Sequence, residues 1–378
     1  MAVTIALLVV ALYLNRRAAA RAALVGWLER QGIEAQVEVE RIEIDGFVGR
    51  IRIGDPRDPD VVVERAEVDY AVALPWAPGG AGLTPRRIRL VRPVWRATWT
   101  EGRLSLGSLD PLIEDFTRRP AGPDRGAPVV VVESGRLRLT TEYGPVQILA
   151  DARMADGRLN RLSARMPSAS LKSGTVEARS LGGTLDLATT GDRVGVRMDL
   201  TAEQFAAGTS GGTQARLLLT GDVPYPDLKA QRADGSARLS VVLTGAELKA
   251  GGTSAAEARL QAAFDGRVSG WIETFGLEGA INTSVSAARI SGPDLQVADF
   301  DAAVAGADLS VARTAEGLSW RGQGGLRAVA ASGRIGGLQG RGLTVASSGL
   351  TVGGRGSAFE VAGPVRVAAD RMAVDDLT

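Results

Sequence analysis

From about Val37 to its last residue the chain alternates apolar and polar residues in short runs broken by glycine. Glu67-Val68-Asp69-Tyr70-Ala71-Val72-Ala73-Leu74 shows the pattern cleanly, and Leu239-Ser240-Val241-Val242-Leu243 and Asp308-Leu309-Ser310-Val311 continue it. A period of two places successive side chains on opposite faces of a strand, so each strand acquires one apolar and one wet face. Kept up over most of the chain with hardly any helical period, the pattern predicts a mainly β fold with a single apolar side. The functional question is what that side is for.

Composition narrows the answers. The chain has no cysteine, which removes disulfides, thiol nucleophiles and Cys-based metal sites. It has no histidine, the usual general base and commonest metal ligand. Neither GxGxxG nor a P-loop is present. We therefore expect no enzyme, no catalytic residues, no cofactor and no metal. Asp55, Asp58 and Asp60 share a loop but lack the glycine and terminal glutamate of a calcium-binding EF-hand. A net charge of +1 and only 4% aromatic residues argue against a nucleic-acid partner.

Ala2 to Leu14 is apolar apart from Thr4 and is closed by Asn15-Arg16-Arg17. As a helix at ~1.5 Å per residue it reaches about 20 Å, short of the ~30 Å hydrocarbon core. A cleaved signal peptide would use Ala18-Ala19-Ala20 as its small-residue site, but no basic region precedes the run. An uncleaved anchor instead lets Arg16 and Arg17 snorkel to the interface, with helix continuing to Gly32. The anchor is the preferred expectation, with upstream residues missing. As written, the arginines follow the span and favour the reverse orientation; upstream basic residues would remove that conflict. Trp27 and Trp76 then become candidate interfacial anchors, with partial burial as the plain alternative.

Along the chain, Asp55-Pro56-Arg57-Asp58-Pro59-Asp60 and Pro75-Trp76-Ala77-Pro78-Gly79-Gly80 are turn-rich loops. One segment departs from period two. Leu109, Leu112, Ile113 and Phe116 follow helical spacing, with Asp110 as N-cap and Pro111 at the first helical position. A short amphipathic helix near 110–118, packed on the end of the sheet, is predicted. Arg118 to Pro128 is the best boundary. The division expected is 1–32 as anchor and juxtamembrane helix, 33–120 as an amino-terminal β module with the short helix, and 121–378 as an extended body truncated at its carboxy terminus.

Short loops favour sequential up-and-down pairing, hence an elongated, curled antiparallel sheet. About twenty strands at ~4.8 Å each would span on the order of 100 Å. No second layer is available to cover the apolar side. Either the sheet curls until its own side chains fill the hollow, giving a structural rod, or the hollow stays open as a hydrophobic groove.

Several segments carry a family resemblance: the amino-terminal anchor leading to Trp27-Leu28-Glu29-Arg30-Gln31-Gly32-Ile33, then Gly49-Arg50-Ile51-Arg52-Ile53-Gly54, Leu90-Val91-Arg92-Pro93 and Gly102-Arg103-Leu104. The arrangement resembles the amino-terminal part of the AsmA-like envelope proteins, nearest the YdbH group and more distantly TamB. The resemblance implies a bridge-like lipid-transfer protein, single-pass in the bacterial inner membrane with its bulk in the periplasm. Members are far longer, so this chain would be an amino-terminal portion. The missing carboxy-terminal part would meet the outer membrane or a small lipoprotein there. The implied ligands are phospholipids, moved between the membranes along the β-groove.

On that basis Val68, Tyr70, Val72, Leu74, Leu239, Val241 and Leu243 are candidate groove-lining residues, with ordinary core packing as the alternative for each. Arg86, Arg87 and Arg89 are candidate head-group contacts, against an exposed strand face. Two other functions stay open: a scaffold for outer-membrane protein assembly that pairs exposed sheet edges with client strands, and a secreted β-rich stalk.

Overall fold

The computed structural model describes residues 35–42, 46–73, 82–100, 102–110, 128–227, 230–271, 274–356 and 358–374. It is 84% strand, and helix among these residues amounts to one 3-10 turn, Gly107–Leu109, followed by the helical residue Asp110. Its 21 strands belong to one mixed sheet. The chain divides into two units, Met1–Pro167 and Ser168–Thr378.

The first unit holds β1 (Ala35–Ile42), β2 (Gly46–Ile53), β3 (Val61–Ala73), β4 (Gly82–Val91), β5 (Val94–Thr100), β6 (Arg103–Ser105), β7 (Val129–Thr141) and β8 (Gly144–Ala155). β9 (Arg158–Ser173) carries the division. β1 to β4 pair antiparallel in order. β4 and β5 are one strand line interrupted at Arg92-Pro93: Arg65 of β3 faces Val91, and Val62 faces Val94. Arg92 has φ 50, and proline offers no N–H, so the ladder must break there.

β7 pairs with both β4 and β5 in parallel, which corrects the wholly antiparallel expectation. The physical reason is the length of the connection. Tight turns force antiparallel neighbours, whereas a parallel crossover needs a dozen or more residues. The stretch between β6 and β7 supplies them.

Val61, Val63 and Ala66 form the core of this unit, packed by Ile51, Ile53, Leu90, Trp95 and Leu109. Leu109, from the 3-10 turn, packs on this core, while Asp110, expected as an N-cap, has helical backbone and closes that turn instead, because its carboxylate bonds back to it. Asp110 accepts the Leu106 N–H at 2.6 Å. The rest of that segment (Leu112, Ile113, Phe116), the boundary loop and the expected anchor at 1–32 lie outside the described residues. Among the described residues no helix is long and apolar enough to cross a membrane.

The second unit is an antiparallel meander: β10 (Val176–Thr190), β11 (Arg193–Ala207), β12 (Ser210–Pro224), β13 (Gly235–Ala250), β14 (Thr253–Gly270), β15 (Phe275–Gly292), β16 (Leu295–Thr314), β17 (Gly317–Ile335) and β18 (Leu338–Arg355). Each strand pairs with the next. β18 also carries three short strands end to end, β19 (Ala358–Ala362), β20 (Arg366–Ala368) and β21 (Arg371–Val374).

Candidate functional site: a one-sided apolar sheet

Register converts the alternation of single strands into rows that run across the second unit. Leu200, Leu217, Leu243, Leu260 and Val285 lie opposite one another in sequence on β11–β15. Two residues along, Met198, Leu219, Val241 and Ala262 form the next row. Val196, Gly221, Leu239, Phe264 and Ile281 form another. Side chains two apart share a face, so these rows make one apolar surface. The predicted lining residues Leu239, Val241 and Leu243 sit at its middle.

The intervening rows are mainly polar, although Leu218 and Val242 stand in the row that runs from Asp199 to Gln261 and Ser284. Arg238 stands opposite Asp265 and reaches it at 3.0 Å. Arg216 donates to both carboxylate oxygens of Asp199, at 2.9 and 2.6 Å. That hydrogen bond holds the Asp199 carboxyl below its ordinary value of 3.8. Charged pairs therefore occupy the opposite face, where water solvates them.

A transverse line of unusual backbone interrupts this simple scheme. Ser180, Gln214, Glu257 and Asp299 have φ near +50°, at 52, 48, 49 and 50, on β10, β12, β14 and β16. Gly342 on β18 has φ 59. They stand at one level, because the residues beside them (Arg179, Thr213, Ala256, Ala298 and Arg341) are joined through a single cross-strand row that includes Gln204, Glu247, Arg289 and Ser332. A left-handed residue rotates the strand about its axis and changes which side chains share a face.

Two close approaches fix the outcome. A Cβ on Gly245 would lie 2.7 Å from Leu248 Cδ2, three residues away, and one on Gly340 would lie 2.5 Å from Leu343 Cδ2. Residues three apart point to opposite faces of an unbroken strand. Here they meet. The row Ala202–Ala215 with Gly245–Ala258 and the row Phe205, Gly212, Leu248, Ala255, Ile290 and Val297 therefore lie on the same face. The apolar surface crosses the line and continues with its sequence phase shifted by one residue.

Sequence alternation alone misses this second part of the surface. The available signal was the polar doublet between apolar residues, such as Glu203-Gln204 between Ala202 and Phe205. A doublet shows that the phase changes but not that neighbouring strands change together.

Burial distinguishes this face from the middle of a sandwich. Small residues on it are buried (Ala202, Ala215, Ala237, Ala258, Ala287, Ala328), as are Val194 and Phe264. The larger Leu217, Leu239, Val241, Leu243, Leu260 and Val285 are only half-buried. A second layer packed at interior density would bury the large side chains as well. Among the described residues of this unit, every element is a strand of the meander or one of the short strands on β18.

The first unit differs. Val68 continues the face of Ala66, between Phe47 and Ile88, and is half-buried; Tyr70 follows a register shift after Asp69. That face is filled next to Val68 by the Val61–Val63–Ala66 cluster. Val72 lies on β3, while Leu74, Arg16, Arg17, Trp27 and Trp76 lie outside the described residues. Arg86 and Arg87 are exposed on β4. Arg89 is not a free cation: it donates to Glu133 at 2.8 and 2.7 Å and to Glu67 at 3.1 Å. The Arg89 hydrogen bond holds the Glu133 carboxyl below its ordinary value of 4.5. Burial alone would raise Glu67, but hydrogen bonds from Arg89 and Arg65 outweigh it and its carboxyl is lowered too.

The three loop aspartates go to separate protein partners. Asp55 accepts from the Arg57 N–H, Asp58 pairs with Arg96, and Asp60 accepts the N–H and hydroxyl of Ser108.

Fold and surface together define a mainly β protein with a broad apolar face. Comparison with known protein families, curated proteins and solved structures gives no match.

Proposed function

We propose that this chain belongs to a lipid conduit, anchored in a bacterial inner membrane, that moves glycerophospholipids between the inner and outer membranes along the apolar face of β10–β18. The observation that carries the reading is that face itself: continuous across neighbouring strands, half-buried at its large side chains, and without a second layer among the described residues. The likeness of the amino-terminal segments to the AsmA-like proteins supports the same reading and supplies the membrane setting.

The physical case rests on transfer energy. Two acyl chains hold roughly thirty methylenes, and at ~0.8 kcal/mol each their full exposure to water costs about 24 kcal/mol. A barrier of that height is crossed on the order of once per day. An apolar track removes most of it, because the tails never leave apolar surroundings while the head group stays in water. No chemistry is required. The track needs continuity, and at ~4.8 Å per strand β10–β18 supply an apolar width on the order of 40 Å.

Val241 and Ser240 test the assignment, since they are neighbours on opposite faces, the first half-buried and the second exposed. With a photo-crosslinking residue at each position in cells, phospholipid capture is expected at Val241 and not at Ser240. Equal capture at both positions, or capture at neither, refutes the proposal.

A further inference from the structure

The polar face of the second unit pairs its arginines with carboxylates from Arg193–Asp222 to Arg238–Asp265. Toward β18 the pattern changes. One cross-strand row runs Arg289, Ala298, Ser332, Arg341, Arg371, with each residue facing the next and no acid among them. The row beside it places Gln296 opposite Arg334. Arg289, Arg341 and Arg371 are exposed and make no ion pair among the described residues. Asp370, next to Arg371 in sequence, holds its side chain over Gly342.

Arg341 and Arg371 are directly opposite one another in an antiparallel pair. Like charges in that position repel, and an open strand face gives no reason to keep them there. They instead form one wall of a concavity of about 690 Å³ that Arg289, Arg334, Ser332 and Gln296 complete. Guanidinium groups present planar forks that match the oxygens of a phosphate, and several around one site exceed what a single carboxylate can neutralise.

We propose that this concavity, on β15–β18 and β21, is a binding site for a phosphate-bearing anion, either a lipid head group or a free phosphate compound, with Arg341 and Arg371 as its principal ligands. The inference stands on charge and register on the polar face and does not depend on the apolar face carrying lipid tails. Each can therefore fail alone.

The test uses the full chain, the double variant Arg341→Gln/Arg371→Gln, and Arg238→Gln as a control on the same face outside the site. Removing the opposed charges relieves repulsion, so the double variant is expected to melt no lower than the parent in chloride buffer. Pyrophosphate titrated at constant ionic strength is expected to raise the parent's Tm saturably. The double variant should bind on the order of a hundredfold more weakly, since each lost charged hydrogen bond is worth about tenfold or more. The control should bind as the parent does. The second arm is co-sedimentation with phosphatidylcholine vesicles containing or lacking phosphatidylglycerol. Saturable binding of pyrophosphate that the double variant loses supports the site with a free ligand. Loss of binding to the anionic vesicles alone supports it with a head group. No saturable response in either arm, or equal responses from parent and double variant, overturns it.

Discussion

Gln214 offers the sharpest test of the line that keeps the apolar surface continuous. Its φ is 48, inside β12, and its side chain is exposed, so a substitution there changes backbone preference with little packing. A left-handed conformation costs an L-residue about 1–2 kcal/mol. Glycine avoids that cost but gives back about 0.5–1 kcal/mol through its unfolded chain. Gln214→Gly is therefore expected to be neutral or stabilising by up to about 1 kcal/mol. Gln214→Val puts a β-branched side chain where it is a genuine outlier, and a loss of about 1–2 kcal/mol is expected. The gap of about 2 kcal/mol corresponds to roughly 4–8 °C in Tm for a unit of this size. Scanning calorimetry of the two variants reads it directly. In an ordinary strand the ranking is reversed, because valine is among the best β formers and glycine among the worst. If the valine variant melts above the glycine variant, Gln214 is in regular extended backbone. The phase shift of β12 would then be lost, and Gly212 would no longer share the face of Ala215.

Two other outcomes follow from particular contacts. Phe264 is buried between Leu239 and Ile281 with its ring over Gly266. Phe264→Ala is expected to cost about 3 kcal/mol in urea denaturation, and a loss below about 1 kcal/mol would show that the ring is not packed there. The Arg89 cluster sets an acid limit on the first unit. Glu67 and Glu133 are held below 4.5 in the fold, so their contribution is fully present above the unfolded value and is lost as pH falls through the lowered folded values. Stability measured from pH 6 down to about 3 should fall more shallowly in Arg89→Gln than in the parent; parallel curves would refute the coupling.

Much of this architecture was legible in the sequence because a strand writes its own faces locally. The alternation of Leu239, Val241 and Leu243 with Ser240 is a property of the strand, and any partner strand inherits it. The absence of cysteine and histidine is a property of the sequence alone. The departure from period two at Leu109 was also visible, but Asp110, expected as an N-cap, has helical backbone and its carboxylate accepts the Leu106 N–H behind it.

What the chain could not state locally is pairing. Nothing in Arg87–Val91 announces that Val129–Glu133 will lie beside it in parallel. That depends on a connection long enough to reverse the usual order. Arg89 looks like an available cation in a basic run, and only the fold brings Glu67 and Glu133 to it. The same holds for Arg341 and Arg371, distant in sequence and made opposite by register alone. Local dihedral and hydrophobic preferences act within a few residues, so the sequence by itself determined which residues are apolar, extended or turning. Register is a sum over whole ladders, and only tertiary structure decided which rows align, where the phase steps, and which charges meet.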